Sequence, residues 1–204
     1  MKYGELTMGQ IEAVVNKLGG MEGVKRLLSG ELVGVEKAEC KFDIWKTVKL
    51  GTGLKAAEDF RRTLRDGGFL ISDWASNTLN HPAFKAANEE TEIDLVKVTV
   101  AELGFKKAAR CQIYERAQYL GLDLCPPEVG PQLRLQYRNQ PNDELIFVAM
   151  ELILVSGEWS LFTVWHHDSN LSLMSYSYNP RSFLHDDASY ANDLWVFVRP
   201  RNRK

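Results

Sequence analysis

A glutamate alone in an apolar run is the first residue of this chain that invites a chemical reading. Glu151 interrupts Leu145–Val155, eleven residues that are otherwise apolar. A run apolar on both alternating sides predicts a long central β-strand. Ser156–Glu158 turns the chain and Trp159–His166 returns it. With the tight turn at Gly157-Glu158, Glu151 lies opposite Val164 and Ala149 opposite His166. Glu151 and His166 then share a face as a diagonal pair. A desolvated carboxylate there is expected to have a raised pKa, and an imidazole matched to it suits general acid–base work. The competing reading is a structural ion pair, Glu151 with His166 or with Arg134, Arg138 or Arg199 from another strand.

Cys125 adds a thiol that could act as a nucleophile with His166 as its base. A cysteine followed by two prolines also reads as a small buried hydrophobe. If the segment around it runs along a cleft between helices and sheet, Glu128 and Arg134 are the nearest polar groups to line that cleft. Glu151, His166, Glu128, Arg134 and Cys125 therefore form the candidate ligand-binding set. His166-His167-Asp168 and His185-Asp186-Asp187 carry metal-ligating types, but adjacent strand residues face opposite ways and Asp and His are common in turns. No metal site and no cofactor is expected. Gly51-Thr52-Gly53 precedes a helix but lacks the lysine and spacing of a phosphate loop, and no dinucleotide-binding or nucleophile-elbow pattern is present.

These residues hang on the stretch Leu122–Tyr137, LDLCPPEVGPQLRLQY. Its prolines argue against helix and for extended backbone, so it reads as a stiff connector delivering Leu133–Tyr137 into a sheet. Before it, helices are expected at Thr7–Leu18, Met21–Ser29, Leu54–Arg65, Asp73–Leu79 (capped by Ser72) and Arg110–Leu120, with strands at Glu31–Val35, Phe42–Leu50 and Ile93–Val98. Arg61, Arg62 and Arg65 read as a solvated helical face. After the connector, strands are expected at Gln132–Arg138, Leu145–Val155, Trp159–His166, Leu171–Tyr178 and Leu194–Arg199, joined by short turns as a meander. The boundary falls between residues 1–121, mainly helical, and 122–204, the sheet region, which could also form one compact domain.

Composition narrows the class. The chain has 204 residues, 45% hydrophobic and 25% charged, with a net charge of −2. This is ordinary for a globular chain and gives no bulk attraction to nucleic acid or to a membrane. Three scattered cysteines exclude a disulfide framework. The first residues lack the apolar core of a signal peptide. A reduced cytoplasm and a soluble protein with no membrane partner are expected. Thr99–Leu122 resembles a helix-turn-helix, with a capping box at Thr99 and Glu102. Its first helix would be about one turn long, and Glu115 would face phosphates, so specific nucleic-acid binding is not expected.

The segment Cys125–Pro131 with Leu133-Arg134-Leu135 and Tyr137, the helix Ile113–Leu122 and the ending Trp195–Arg201 resemble a group of uncharacterised bacterial proteins. The resemblance implies a bacterial protein of this α+β layout and transfers no catalytic residue. The expected fold is α+β, N-terminal helices packed on a C-terminal antiparallel β-meander. The expected function is a non-enzymatic binding or regulatory module for an unknown small molecule or protein. The alternatives are a hydrolase-like enzyme using the Glu/His pair, and a nucleic-acid-binding regulator acting through 99–122.

Overall fold

A computed structural model describes residues 15, 21–29, 40–178 and 188–201. The chain divides into two compact units, Met1–Ala38 and Glu39–Lys204. In the first, helix α1 (Met21–Leu28) is described, as expected at that place. The expected helix Thr7–Leu18 lies almost wholly, and the strand Glu31–Val35 wholly, outside the described residues.

The second unit is built on one mixed, eight-stranded sheet, with β4 (Lys107–Ala109) and β9 (Ala188–Tyr190) paired apart from it. Its strands are β1 (Lys46–Leu50), β2 (Leu70–Ile71), β3 (Thr91–Thr99), β5 (Leu145–Val148), β6 (Ile153–Val155), β7 (Glu158–His167), β8 (Asn170–Tyr178) and β10 (Leu194–Val198). The order is β1-β3-β10-β5-β7-β8-β2, with β6 on β7. β10 runs parallel to β5, and β2 parallel to β8. This overturns the expected antiparallel meander beneath N-terminal helices. β1, β2 and β3 come from the region read as helical, and β3 sits between β1 and β10. Hydrophobic alternation identifies strands but carries no information on which distant strand each one joins.

Strand alternation splits the side chains between two faces. On one face, Ser160 of β7 meets helix α3 (Asp73–Asn80) and Phe162 meets helix α5 (Val129–Gln136), while helix α2 (Ala57–Asp66) reaches Phe162 through Phe84. Phe60 stacks edge-on against Phe84 at 5.3 Å, and Phe84 against Phe162 at 6.1 Å. Thr78 of α3 shares hydrogen bonds with the hydroxyls of Ser160 and Ser175, each at 3.1 Å. On the other face, Trp195 and Phe197 meet Tyr114 of α4 (Arg110–Tyr119), and Phe147 stacks on Trp195. Arg61 is buried rather than solvated. It ties α2 to α3 through Ser76 (2.8 Å) and Asn80.

The connector departs most from the sequence reading. Val129–Gln136 is a helix, not a strand. The carbonyls of Pro126 and Pro127 accept from the N–H groups of Val129 and Gly130, at 3.0 and 3.2 Å, and so start its first turn. Pro131 stands in that first turn, where a missing N–H breaks no helical bond. The strand-like alternation of Leu133, Leu135 and Tyr137 misled because this helix is buried on nearly all sides. Val129 through Arg134 are all buried. A side chain at Gly130 would meet the Phe162 ring at 2.6 Å, so α5 lies tight on β7.

The long strand Leu145–Val155 is also broken. Between Phe147↔Thr163 and Ile153↔Ser160, the five residues 148–152 face only Leu161 and Phe162. The three extra residues leave the sheet. Ala149 and Met150 turn inward to Cys125, where the Cys125 N–H donates to the Ala149 carbonyl at 2.6 Å. The Tyr114 hydroxyl donates to the Met150 carbonyl at 3.0 Å.

Candidate functional site

The excursion decides the fate of the Glu151–His166 pair. Glu151 is exposed beside the buried Met150. The hairpin turns at Ser156-Gly157, one residue earlier than read, and both residues have positive φ (51° and 85°). Among the described residues no hydrogen bond or ion pair joins Glu151 to His166 or to an arginine. His166 instead donates from Nδ1 to the Gln140 carbonyl at 2.7 Å, and its own N–H goes to the Glu144 carbonyl at 3.1 Å. His167 stacks on Trp165 and lies 3.1 Å from Asp143.

Cys125 is buried, with its thiol directed at the Val196 carbonyl 3.5 Å away. Burial pushes that thiol well above its ordinary pKa, away from thiolate. Of the two cysteine readings, the buried hydrophobe fits.

Glu128 is buried and fully engaged. One oxygen accepts the Gly51 N–H (2.9 Å) and the Gln132 amide (3.0 Å), and the other accepts the Ala87 N–H (2.7 Å). Gln132 also donates to Thr52 Oγ1 at 2.7 Å. Gln136 takes the Lys49 N–H on its oxygen (3.0 Å) and returns its amide N–H to the Lys49 carbonyl (2.8 Å) and to Gln132 (3.1 Å). Glu128, Gln132 and Gln136 are four residues apart, so they stack along one face of α5. β1 is the edge strand of the sheet. Gln136 and Glu128 occupy the outward backbone groups at Lys49 and Gly51, where a further strand would pair, and Gln132 links the two. An unpaired edge invites association, and here a helix covers it.

Arg134 is fully buried, and among the described residues no carboxylate forms an ion pair with it. Its guanidinium donates to the Gln140 side chain and to the Tyr137 carbonyl, which closes the C-terminus of its own helix, and it lies 5.1 Å over the Phe69 ring. Burial lowers its pKa to about 10. A polar cluster that sequence reading missed surrounds it. Tyr137 donates to Glu144 (3.0 Å), Glu144 pairs with Lys97 (2.5 Å), and Lys97 lies 4.7 Å over the Trp45 ring. Burial first, and the Glu144 bond second, hold the Tyr137 phenol above its usual pKa. That makes it a hydrogen-bond donor to Glu144 and not a nucleophile.

The helix-turn-helix reading also changes shape. The capping box at Thr99 and Glu102 forms, with bonds of 2.7 and 3.1 Å, but around a single turn. β4 (Lys107–Ala109) then intervenes before α4, so one helix stands where two were read.

A concave site lies elsewhere, between the start of β3 and the chain after β10. Glu92–Asp94 and Val198–Arg201 line a groove of about 310 Å³. Asp94 is buried and holds Arg201 in a two-pronged bond (2.7 and 3.0 Å), while Thr47 donates to it at 2.7 Å. The Arg201 bond, foremost, keeps the Asp94 carboxyl below its ordinary pKa. Arg199 donates to the Phe42 carbonyl at 2.9 Å. None of the five residues proposed from sequence lines this groove. Its two walls lie over a hundred residues apart in the chain, and no local motif marks them.

No helix among the described residues is long and apolar enough to cross a membrane. No family model matches the chain, and neither a curated protein nor a solved structure matches it.

Proposed function

We propose that the chain is a non-enzymatic binding module of a bacterial cytoplasm, and that its ligand site is the groove between Glu92–Asp94 and Val198–Arg201. One observation carries this reading. The candidate nucleophile and carboxylates are already bound to the protein itself: Glu128 to backbone N–H groups, Cys125 to a carbonyl, Glu144 to Lys97. His166 keeps Nε2 for proton transfer, but among the described residues no candidate thiol or carboxylate is bonded to it, so no nucleophile–base pair is assembled. The groove instead offers a concave surface with charged groups, and its volume is at the lower end of small-ligand pockets, about 300–1,000 Å³. The likeness of Cys125–Tyr137 to a group of bacterial proteins belongs to the same proposal, and it implies that they share the helix α5 and its ladder.

Two measurements test the reading. A panel of chromogenic esters, phosphoesters and glycosides is expected to show no turnover above buffer. Turnover that disappears in His166→Ala would overturn the non-enzymatic reading. Saturation-transfer NMR against a small-molecule library, with hits mapped onto backbone amides, is expected to move residues 92–94 and 198–201. Hits clustering elsewhere would reject the site.

A further inference from the structure

The two ends of the sheet are closed unequally. At the β1 end, Gln136 and Glu128 take up the outward backbone groups of Lys49 and Gly51. At the other end, β2 covers β8 at Ser172 and Leu173 alone. The Leu173 carbonyl accepts the Ser72 N–H at 3.1 Å, and α3 then begins at Asp73. That helix packs on a face of the sheet, with Thr78 against Ser160 and Ser175, and does not run along its edge. Backbone groups along a strand point alternately to its two sides. With Leu173 turned to β2, the N–H and C=O of Ser175 and Ser177 point outward as well. The β7–β8 register runs unbroken from Trp159↔Tyr178 to His167↔Asn170, so no bulge shifts that alternation. Among the described residues nothing hydrogen-bonds to these outward groups. The strand also lacks the devices that keep open edges apart. Its sequence, NLSLMSYSY, has no charge and no proline, whereas β1 carries Lys46 and Lys49.

We propose that this edge pairs with a second copy of the chain, β8 against β8, antiparallel about a two-fold axis at Tyr176. Outward residues two positions apart are self-complementary under such an axis. Ser175 exchanges N–H···O bonds with Ser177 of the second copy, and Ser177 with Ser175 of the second copy. Met174 then stands opposite Tyr178 of the second copy, so the pairing ends where β2 begins and does not displace it. Tyr176, 41% exposed, faces Tyr176 of the second copy as a close cross-strand pair. It lies on the face that carries the exposed Trp159 and Leu154. The paired segment is short, so the contact belongs to the small, weak class of interfaces. It shares no residue with the groove at Arg201.

Sedimentation velocity of the full chain, over about 10 μM to 1 mM, is expected to show a reversible monomer–dimer equilibrium. Ser177→Pro removes one outward N–H and leaves the ladder to β7 intact. It is expected to weaken association at least about tenfold while the circular dichroism stays that of wild type. Tyr176→Lys and Tyr176→Glu each set like charges face to face at the axis, and each is expected to be monomeric. An equimolar mixture of the two is expected to associate again, because opposite charges then face each other. That recovery separates lost pairing from lost folding. A chain that stays monomeric at every concentration would overturn the proposal. So would a dimer that all three variants leave intact, since it pairs elsewhere. Variants that dissociate without recovery in the mixture would overturn the axis at Tyr176.

Discussion

Replacing Glu128 by alanine is the sharpest perturbation of this fold. The carboxylate accepts three donors: the Gly51 and Ala87 N–H groups and the Gln132 amide. Alanine strands the two backbone donors, while Gln132 keeps Thr52 as a partner. A stranded buried donor costs about 1–3 kcal/mol. Gly51 and Ala87 are only partly buried, so the lower half of that range applies to each. Removing the charge also relieves its own desolvation, which offsets part of the loss. The two donors sum to about 2–4 kcal/mol, and the offset brings the expected cost to about 1–3 kcal/mol. With a urea slope of about 2 kcal/mol/M, the unfolding midpoint moves down by roughly 0.5–1.5 M. Glu128→Gln keeps the volume but turns an NH₂ towards one of the two backbone donors, so it recovers less than half of the loss. Hydrogen exchange provides the local readout, with the Gly51 and Ala87 amides speeding up more than the rest of the sheet. A midpoint lowered by less than about 0.3 M, with those two amides still protected, refutes the ladder as the cover of the β1 edge.

Gly130→Ala is expected to destabilise by about 1–3 kcal/mol, read by the same urea titration, because the new Cβ meets the Phe162 ring at 2.6 Å. Glu151→Ala is expected to leave the midpoint within about 0.5 kcal/mol of wild type, since the side chain is exposed; a larger loss would mean that the excursion buries it. In a thiol-reagent time course Cys111, exposed, reacts at once, whereas Cys125 reacts only as the protein unfolds; fast modification of Cys125 in the native state contradicts its burial. The Asp94 carboxyl titrates lower folded than unfolded, so its stabilisation is present above an unfolded pKa of about 3.9 and is lost as pH falls through the folded value. Asp94→Asn should therefore flatten the acid limb of stability against pH, and an unchanged limb would count against the Arg201 bond.

What could be read from sequence was local. Ser72 caps α3 as expected, with its hydroxyl accepting the Ala75 N–H at 3.1 Å, and Gly121 ends α4 at a positive φ of 82°. The β7–β8 hairpin turns on Asp168 and Ser169, both in the left-handed region (47° and 63°) that short polar residues tolerate. Each of these features depends on residues within one turn of itself. The break in Leu145–Val155 does not. It is held by Cys125 and Tyr114, 25 and 36 residues away from their partners, Met150 in each case. No periodicity within the run could announce it. The Glu151–His166 pairing failed with it, because a register argument carries only as far as its strand stays unbroken.

Helix α5 is the instructive case, because its signal was present and was outweighed. Leu133, Leu135 and Tyr137 alternate like a strand, and prolines disfavour a helix interior. Yet Glu128, Gln132 and Gln136 repeat every four residues, the spacing of one helical face. That polar spacing was the truer guide. Alternating apolar residues can sit on a helix buried on every side, as Val129–Arg134 is, so apolar periodicity loses its meaning there. A polar residue inside a core must find partners wherever it points, so its spacing still records the geometry. The same argument explains why Glu128 and Arg134 looked like site residues. Charged groups beside prolines and a cysteine suggest chemistry, but in this fold one carboxylate completes a sheet edge and one guanidinium closes a helix.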